Sequence, residues 1–77
     1  MKYTVLELIN NVCERSYRNS GKNLEKIKNC GLEDNKKYQL FDNYSIKFVA
    51  HHGGIKKVFY KGEREVKKET VLKAYKK

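Results

Sequence analysis

The chain has 77 residues, of which 39% are apolar and 12% aromatic, and its formal net charge is +9. A chain of this length has room for one hydrophobic core, which predicts one small basic domain over residues 1–77 and leaves little material for a deep catalytic pocket. The longest apolar run, Phe48-Val49-Ala50, is far shorter than the ~20 residues of a transmembrane helix, and no secretory signal is evident, so we expect a cytoplasmic protein without a membrane partner.

The positive charge is unevenly distributed along the chain. Residues 44–77 hold ten basic and three acidic side chains, whereas residues 1–43 hold eight and six. Fifteen of the eighteen basic residues are lysine, a bias that an AT-rich genome also produces without selection for binding. Because the excess is local, it favours a basic functional surface in the C-terminal half over uniform bias.

The first predicted element is an N-terminal helix. Thr4 and Glu7 have the spacing of a capping box, in which each side chain bonds the backbone N–H of the other residue. The apolar residues that follow recur at intervals of three and four, so one broad face is apolar and includes Cys13. Asn19-Ser20-Gly21 predicts the end of this helix, since glycine is common just past a helix C-terminus.

A short second helix is predicted from Asn23, as its N-cap, to Cys30, with Gly31 ending it. Two turns are marginal in isolation, so this helix must dock through Leu24 and Ile27. Residues 31–36 are predicted to form a loop.

From Lys37 the apolar period changes to two, which is typical of strands. Asp42-Asn43 tolerates positive φ and predicts a hairpin turn between a strand at 37–41 and a strand at 44–50. His51-His52-Gly53-Gly54 predicts a second reversal before a strand at 55–61. The pattern indicates a three-stranded antiparallel β-meander.

Alternation also predicts the two faces of that sheet. The inner face is expected to hold Tyr44, Ile46, Phe48, Val58 and Tyr60. The outer face is then expected to hold Lys47, Val49, Lys57 and Phe59.

After the turn Lys61-Gly62-Glu63, Val66 fits a continuation of the sheet. A C-terminal helix is predicted from about Lys68, with Glu69 near its positive N-terminal dipole. The fold class is therefore α+β, with an N-terminal helix, a short second helix, a three-stranded antiparallel meander and a C-terminal helix.

No residue cluster has the spacing of a metal or catalytic site. Sixteen residues separate Cys13 from Cys30, and His51 and His52 are adjacent, unlike zinc ligand pairs, so we predict no metal and no other cofactor. In a cytosolic protein both cysteines are expected to be free thiols. His51 or His52 with Lys56 or Lys57 could support ribonuclease-like chemistry, but adjacent residues point to opposite faces, which favours a non-enzymatic protein.

The strongest pattern is a set of basic side chains interleaved with aromatic ones. Lysine neutralises phosphates as a point charge and exposed aromatic rings stack on bases. The scarcity of arginine favours sequence-tolerant contact with the backbone of DNA or RNA, because bidentate reading of guanine suits arginine. The candidate nucleic-acid-binding residues are Lys47, Lys56, Lys57, Phe59, Lys61, Arg64, Lys67, Lys68 and Lys73.

A meander followed by a lysine-bearing helix is similar in topology to double-stranded RNA-binding domains and to the small arm-binding domains of phage-type integrases. In the former a basic pair opens the last helix, as Lys67-Lys68 does here, whereas the following Glu-Thr-Val-Leu-Lys-Ala-Tyr differs from that family's alanine-rich helix. Topology alone does not fix function.

Two functions are consistent with these features. The first is a non-enzymatic nucleic-acid-binding module that contacts the phosphate backbone through the lysine-rich C-terminal half. The alternative is a small phage or mobile-element accessory protein that binds an acidic surface of a host protein and modulates it.

Overall fold

The chain forms a four-stranded antiparallel sheet with helices packed on one side, as described by a computed structural model for residues 3–76. The strands are β1 (Lys37–Phe41), β2 (Tyr44–His51), β3 (Gly54–Lys61) and β4 (Arg64–Val66), in that spatial order. The helical elements are a π-helical segment (Glu7–Asn11), α1 (Ser20–Asn29) and α2 (Lys68–Tyr75). The predicted α+β class is confirmed, and none of these helices is long and apolar enough to cross a membrane.

The predicted three-stranded meander is one strand short. Gly62 and Glu63 form a turn after β3, and the next residues pair back onto it, with Arg64 opposite Lys61 and Val66 opposite Phe59. This short fourth strand places Val66 beside the core. The C-terminal helix then begins at Lys68, as predicted, with Lys67 as its N-cap and Glu69 in its first turn.

The N-terminal helix is much shorter than predicted. Its capping box is present, with the Thr4 N–H donating to Glu7 Oε1 at 2.9 Å and the Glu7 N–H donating to Thr4 Oγ1 at 3.2 Å. The π-helical segment ends when Val12 becomes extended, and Cys13 takes a φ of 58°. Four apolar residues of the predicted face, Leu8, Ile9, Val12 and Cys13, are nevertheless all buried, although the last two lie beyond the end of the helical segment.

Helix α1 begins earlier than predicted. Its N-cap is Asn19, whose side chain accepts from the Lys22 N–H at 3.0 Å, so the predicted stop signal at residues 19–21 instead starts a helix. The predicted end is confirmed: Gly31 has a φ of 79°, and the Leu32 N–H donates to the Ile27 carbonyl in the pattern of a Schellman motif. The predicted docking is confirmed for Ile27, which is fully buried, whereas Leu24 is half-buried and lies outside the core cluster.

Asn23, the predicted N-cap, lies inside α1 and is fully buried. Its Oδ1 accepts from the Tyr17 N–H at 2.7 Å, and its Nδ2 donates to the carbonyls of Tyr17 and His51 at 2.6 and 2.8 Å. One side chain therefore ties the segment before α1 to the end of β2. These bonds satisfy the Tyr17 N–H and carbonyl, which lie outside any helix, and the carbonyl of His51.

The two faces of the sheet follow from a two-residue turn between β2 and β3. His51 pairs with Gly54 across the turn, so Ile46 lies opposite Phe59 and Phe48 lies opposite Lys57. Paired residues share a face, and a shift of one residue exchanges the faces of a whole strand. The prediction for β2 is confirmed, but that for β3 was wrong: Lys57 and Phe59 are inner, and Val58 and Tyr60 are outer.

The hydrophobic core lies between the inner face and the helices. Its fully buried residues come from every layer and include Ile9, Ile27, Ile46, Phe48 and Val71. At one end, the Phe41 ring packs on Tyr44 and on Tyr75 of α2, with centroids 5.0 and 5.3 Å apart. All three helical elements are therefore packed on the inner face.

Candidate nucleic-acid interface

The opposite face of the sheet lies outside the core cluster. The register places alternate side chains of the three longer strands on this surface, here called the outer face: Lys37, Gln39, Ser45, Lys47, Val49, His51, Lys56, Val58 and Tyr60. Lys37 and Lys56 are exposed, and Lys47, Val49 and Tyr60 are half-buried. Val58 is only 8% exposed, although it lies outside the core cluster, because Lys47 stands opposite it and Tyr60 two residues along the strand.

A lysine pair and one aromatic ring form the centre of the outer face. Lys37 and Lys47 are directly opposite each other in β1 and β2. Their ammonium nitrogens lie 4.2 and 5.3 Å from the centroid of the Tyr60 ring. Contact with the ring face offsets part of the repulsion between the two charges, at roughly 0.5–1 kcal/mol for an exposed cation.

Acidic side chains do little to neutralise this face. Among the outer positions of the four strands, the register adds a single carboxylate, Glu65, which lies opposite Tyr60 at the β4 edge. Across residues 3–76 the only ion pair joins Lys36 to Glu33 at 2.9 Å. Like charges opposite each other destabilise a sheet, so the lysine pair lowers the stability of the free protein. A bound polyanion would reduce the repulsion between the two ammonium groups.

Of the nine predicted site residues, the structure places two on this surface. Lys47 and Lys56 lie together on the outer face, whereas Phe59 is 5% exposed and packs in the core. Its ring is therefore not available to stack on a base. The aromatic residue that does lie on the outer face is Tyr60, which alternation had assigned to the core.

Lys57 is also on the inner side of the sheet. Its ammonium donates to the Ile9 carbonyl at 3.3 Å and so links β3 to the N-terminal segment. Burial lowers the pKa of Lys57, and the nearby Lys68 lowers it further, while Glu14 and Cys13 oppose the change. Its contact is structural, unlike that of its neighbour Lys56, which is exposed to solvent.

The remaining predicted residues lie on the helical side of the sheet or at its edge. Lys61 pairs with Tyr44 and with Arg64, so both basic residues share the inner face, and Lys68 and Lys73 belong to α2. Lys61 and Arg64 are exposed and face each other at the β3–β4 turn, with the Lys61 ammonium 5.8 Å from the Tyr44 ring. Lys73 is exposed on α2. Lys67 and Lys68 line a groove of about 450 Å³ between β3, β4 and the start of α2.

That groove is less basic than its lysines suggest. Besides Lys56, Lys57, Lys67 and Lys68, it is lined by Glu14, Glu65 and Glu69. Four cations against three anions give a weaker anion site than the outer face, where Glu65 alone opposes three lysines. The outer face is therefore the better candidate surface for a polyanion.

The histidines lie at the tip of the β2–β3 hairpin and are exposed. His51 Nδ1 accepts from the Gly53 N–H at 3.2 Å. Lys57 lies on the opposite side of the sheet from His51, so that predicted pairing of groups is not brought together. Within residues 3–76, no three His, Cys, Asp or Glu side chains are grouped so as to hold a metal ion.

Lys37 and Tyr60 were not among the predicted site residues. Lys37 lies outside the strongly basic C-terminal half of the chain. Its pairing with Lys47 joins two strands, so no local sequence pattern indicates it. Tyr60 was missed because the length of the β2–β3 turn sets its face. A turn with an even number of residues, such as His52-Gly53, places Tyr60 on the outer face, whereas a three-residue turn would place it on the inner face.

Comparisons with known protein families, with characterised proteins and with solved structures found no match for this chain. The topological similarity to double-stranded RNA-binding domains therefore rests on the order of elements alone.

Proposed function

We propose that this protein is a non-enzymatic nucleic-acid-binding module that holds single strands on the outer face, without strong sequence preference. The observation that supports the proposal most directly is the Lys37–Lys47 pair beside the Tyr60 ring, on a sheet face that the helices leave uncovered. Lysines can bind the phosphates while the ring accepts a base.

The energies favour a base over the lysines at the ring. Stacking of a base on an aromatic side chain contributes about 1–3 kcal/mol, compared with roughly 0.5–1 kcal/mol for an exposed cation–π contact. A lysine displaced from the ring keeps its charge and can bind the adjacent phosphate. The face is a sheet surface rather than a protruding helix or loop, so it suits a strand with splayed bases better than a duplex groove.

The charge contribution is tested by reversing one lysine on each side of the molecule. Lys47→Glu should weaken binding of a labelled oligothymidylate strongly, whereas Lys28→Glu, an exposed change on α1 with the same charge difference, should weaken it little. With about three to five phosphates bound, the log–log salt slope of the wild type should be about −2 to −3.5, and Lys47→Glu should reduce its magnitude by about 0.7.

Equal losses in the two charge variants would show that only bulk charge matters and would refute the outer face as the site. If the oligonucleotide binds no better than to an unrelated protein of equal charge, the proposal fails as a whole. Binding to an acidic host protein, the alternative considered above, would then be the function to pursue.

The stacking contribution is tested at Tyr60. Tyr60→Leu should lower oligonucleotide affinity about 5- to 150-fold, which corresponds to ~1–3 kcal/mol, and Tyr60→Phe should retain most of the affinity because the ring is kept. Polyphosphate has the charge of a nucleic acid but no bases, so its affinity should be the same in all three proteins. A parallel loss of polyphosphate binding in Tyr60→Leu would contradict base stacking.

A further inference from the structure

Two cysteines that are far apart in sequence meet on the helical side of the sheet. Cys13 follows the π-helical segment and Cys30 is the C-cap of α1. Their sulfur atoms are 3.8 Å apart, with the Cys13 thiol donating to Cys30 Sγ. Both are free thiols in this structure.

The backbone on both sides holds this approach in place. Cys13 has a φ of 58°, in the left-handed region that few residues other than glycine adopt. At the other thiol, the Tyr3 hydroxyl donates to the Cys30 carbonyl at 2.7 Å, and the Cys30 N–H is bonded within the last turn of α1. The left-handed backbone at Cys13 and the hydrogen bonds at Cys30 together position the two sulfur atoms.

The thiols differ in their access to solvent. Cys13 is 6% exposed, while Cys30 is half-buried. Cys30 lines two open clefts of about 400 Å³ each, one beside Tyr17 and Lys22 and the other beside Tyr3 and Cys13. A small disulfide reagent can therefore approach Cys30 first.

We propose that Cys13 and Cys30 are a site of reversible disulfide formation, oxidised by a low-molecular-weight disulfide such as glutathione disulfide. The Cys30 thiolate attacks one sulfur of glutathione disulfide, forming a mixed disulfide and releasing one glutathione thiolate. Cys13, after losing its proton to solvent, attacks the Cys30 sulfur and releases the second glutathione. The two protein thiols are oxidised to one disulfide, and one glutathione disulfide is reduced to two glutathione molecules.

The burial of Cys13 determines the order and the pH dependence of these steps. Burial raises the pKa of Cys13 to about 12, and its hydrogen bond to Cys30 acts in the same direction. Cys13 is thus protonated at neutral pH and serves as the resolving thiol. The second step should accelerate as pH rises towards that value, because a larger fraction of Cys13 is then ionised.

The crosslink would join the N-terminal segment to the end of α1. It closes a loop of sixteen residues, 14–29. The first six of them, 14–19, are exposed and lie outside regular helices and strands, and the rest belong to α1, which begins at Ser20. Restricting a loop of this length in the unfolded chain should raise Tm by about 10 °C or more. The site lies on the helical side, away from the outer face, so its chemistry is independent of the proposed nucleic-acid binding.

The experiment is incubation of the full chain with excess glutathione disulfide at pH 8, followed by alkylation and intact-mass measurement. The wild type should lose two hydrogen atoms, resist alkylation and show the higher Tm, and dithiothreitol should reverse all three changes. Cys13→Ser should stop at the mixed disulfide and gain the mass of one glutathione. Cys30→Ser should react far more slowly, since only the buried thiol remains.

Two results would overturn the proposal. One is a wild type whose thiols are both alkylated after oxidation, and the other is a wild type that retains glutathione or forms only disulfide-linked dimers. Oligonucleotide affinity measured on the same oxidised sample should equal that of the reduced protein. A failure of disulfide formation with intact oligonucleotide binding, or the reverse, therefore separates this proposal from the proposed function.

Discussion

The two faces of this sheet use the same residue types for different purposes. Lys56 and Lys57 are adjacent in β3, yet Lys56 is exposed on the outer face and Lys57 is half-buried against the Ile9 carbonyl. Phe59 and Tyr60 differ in the same way, one in the core and the other beside two lysine ammonium groups. In a strand, position relative to the pleat decides whether a cation or a ring stabilises the fold or is available to a ligand.

The largest difference between the faces should appear in stability. Phe48→Ala removes a fully buried inner-face ring and should lower the free energy of unfolding by about 3–5 kcal/mol, because a cavity remains among the core residues. Val49→Ala, one residue along on the outer face, should cost less than about 1 kcal/mol. Urea denaturation followed by circular dichroism measures both.

If Phe48→Ala is too unstable to fold, Phe48→Leu can replace it. Its loss of unfolding free energy should be smaller than that expected for Phe48→Ala and larger than that of Val49→Ala. Equal losses at positions 48 and 49 would mean that the outer face is also covered, and the assignment of faces would be wrong.

A smaller difference should appear in the pH dependence of stability at the two adjacent lysines. The lowered pKa of folded Lys57 means that the unfolded chain binds more protons in the alkaline range below 10.5. The free energy of unfolding of the wild type should therefore rise, relative to Lys57→Met, as pH increases from neutral towards 10.5. At neutral pH the two should differ by only about 1 kcal/mol or less.

Lys56→Met is the matched control and should keep the wild-type pH dependence. The raised pKa of Cys13, about 12 against an ordinary 9.0, makes stability fall above pH 9 in all three proteins. Because the charge of Lys57 lowers the pKa of Cys13, this fall should be at least as large in Lys57→Met, which adds to the expected difference from the wild type. Identical pH profiles for Lys57→Met and the wild type would show that Lys57 is solvated in the folded state.

Local signals in the sequence predicted most of the elements. The Thr4–Glu7 capping box, the strand alternation after Lys37 and the glycine that ends α1 all involve residues within a few positions of each other. Asp42 does adopt the positive φ expected of its turn. The misplaced start of α1 has a local cause: Asn19, Ser20 and Asn23 fit both the start and the end of a helix, and only their tertiary contacts distinguish the two.

The sequence by itself determined the α+β class, the local charge excess and the inner face of β2, because these depend on composition and on short-range periodicity. The tertiary structure decided which side of β3 meets the core, since one residue of turn length exchanges the two faces. It also decided the burial of Asn23, the pairing of Lys37 with Lys47 and the approach of Cys13 to Cys30. Each is a contact between separate elements, and its geometry is set by packing against the common core.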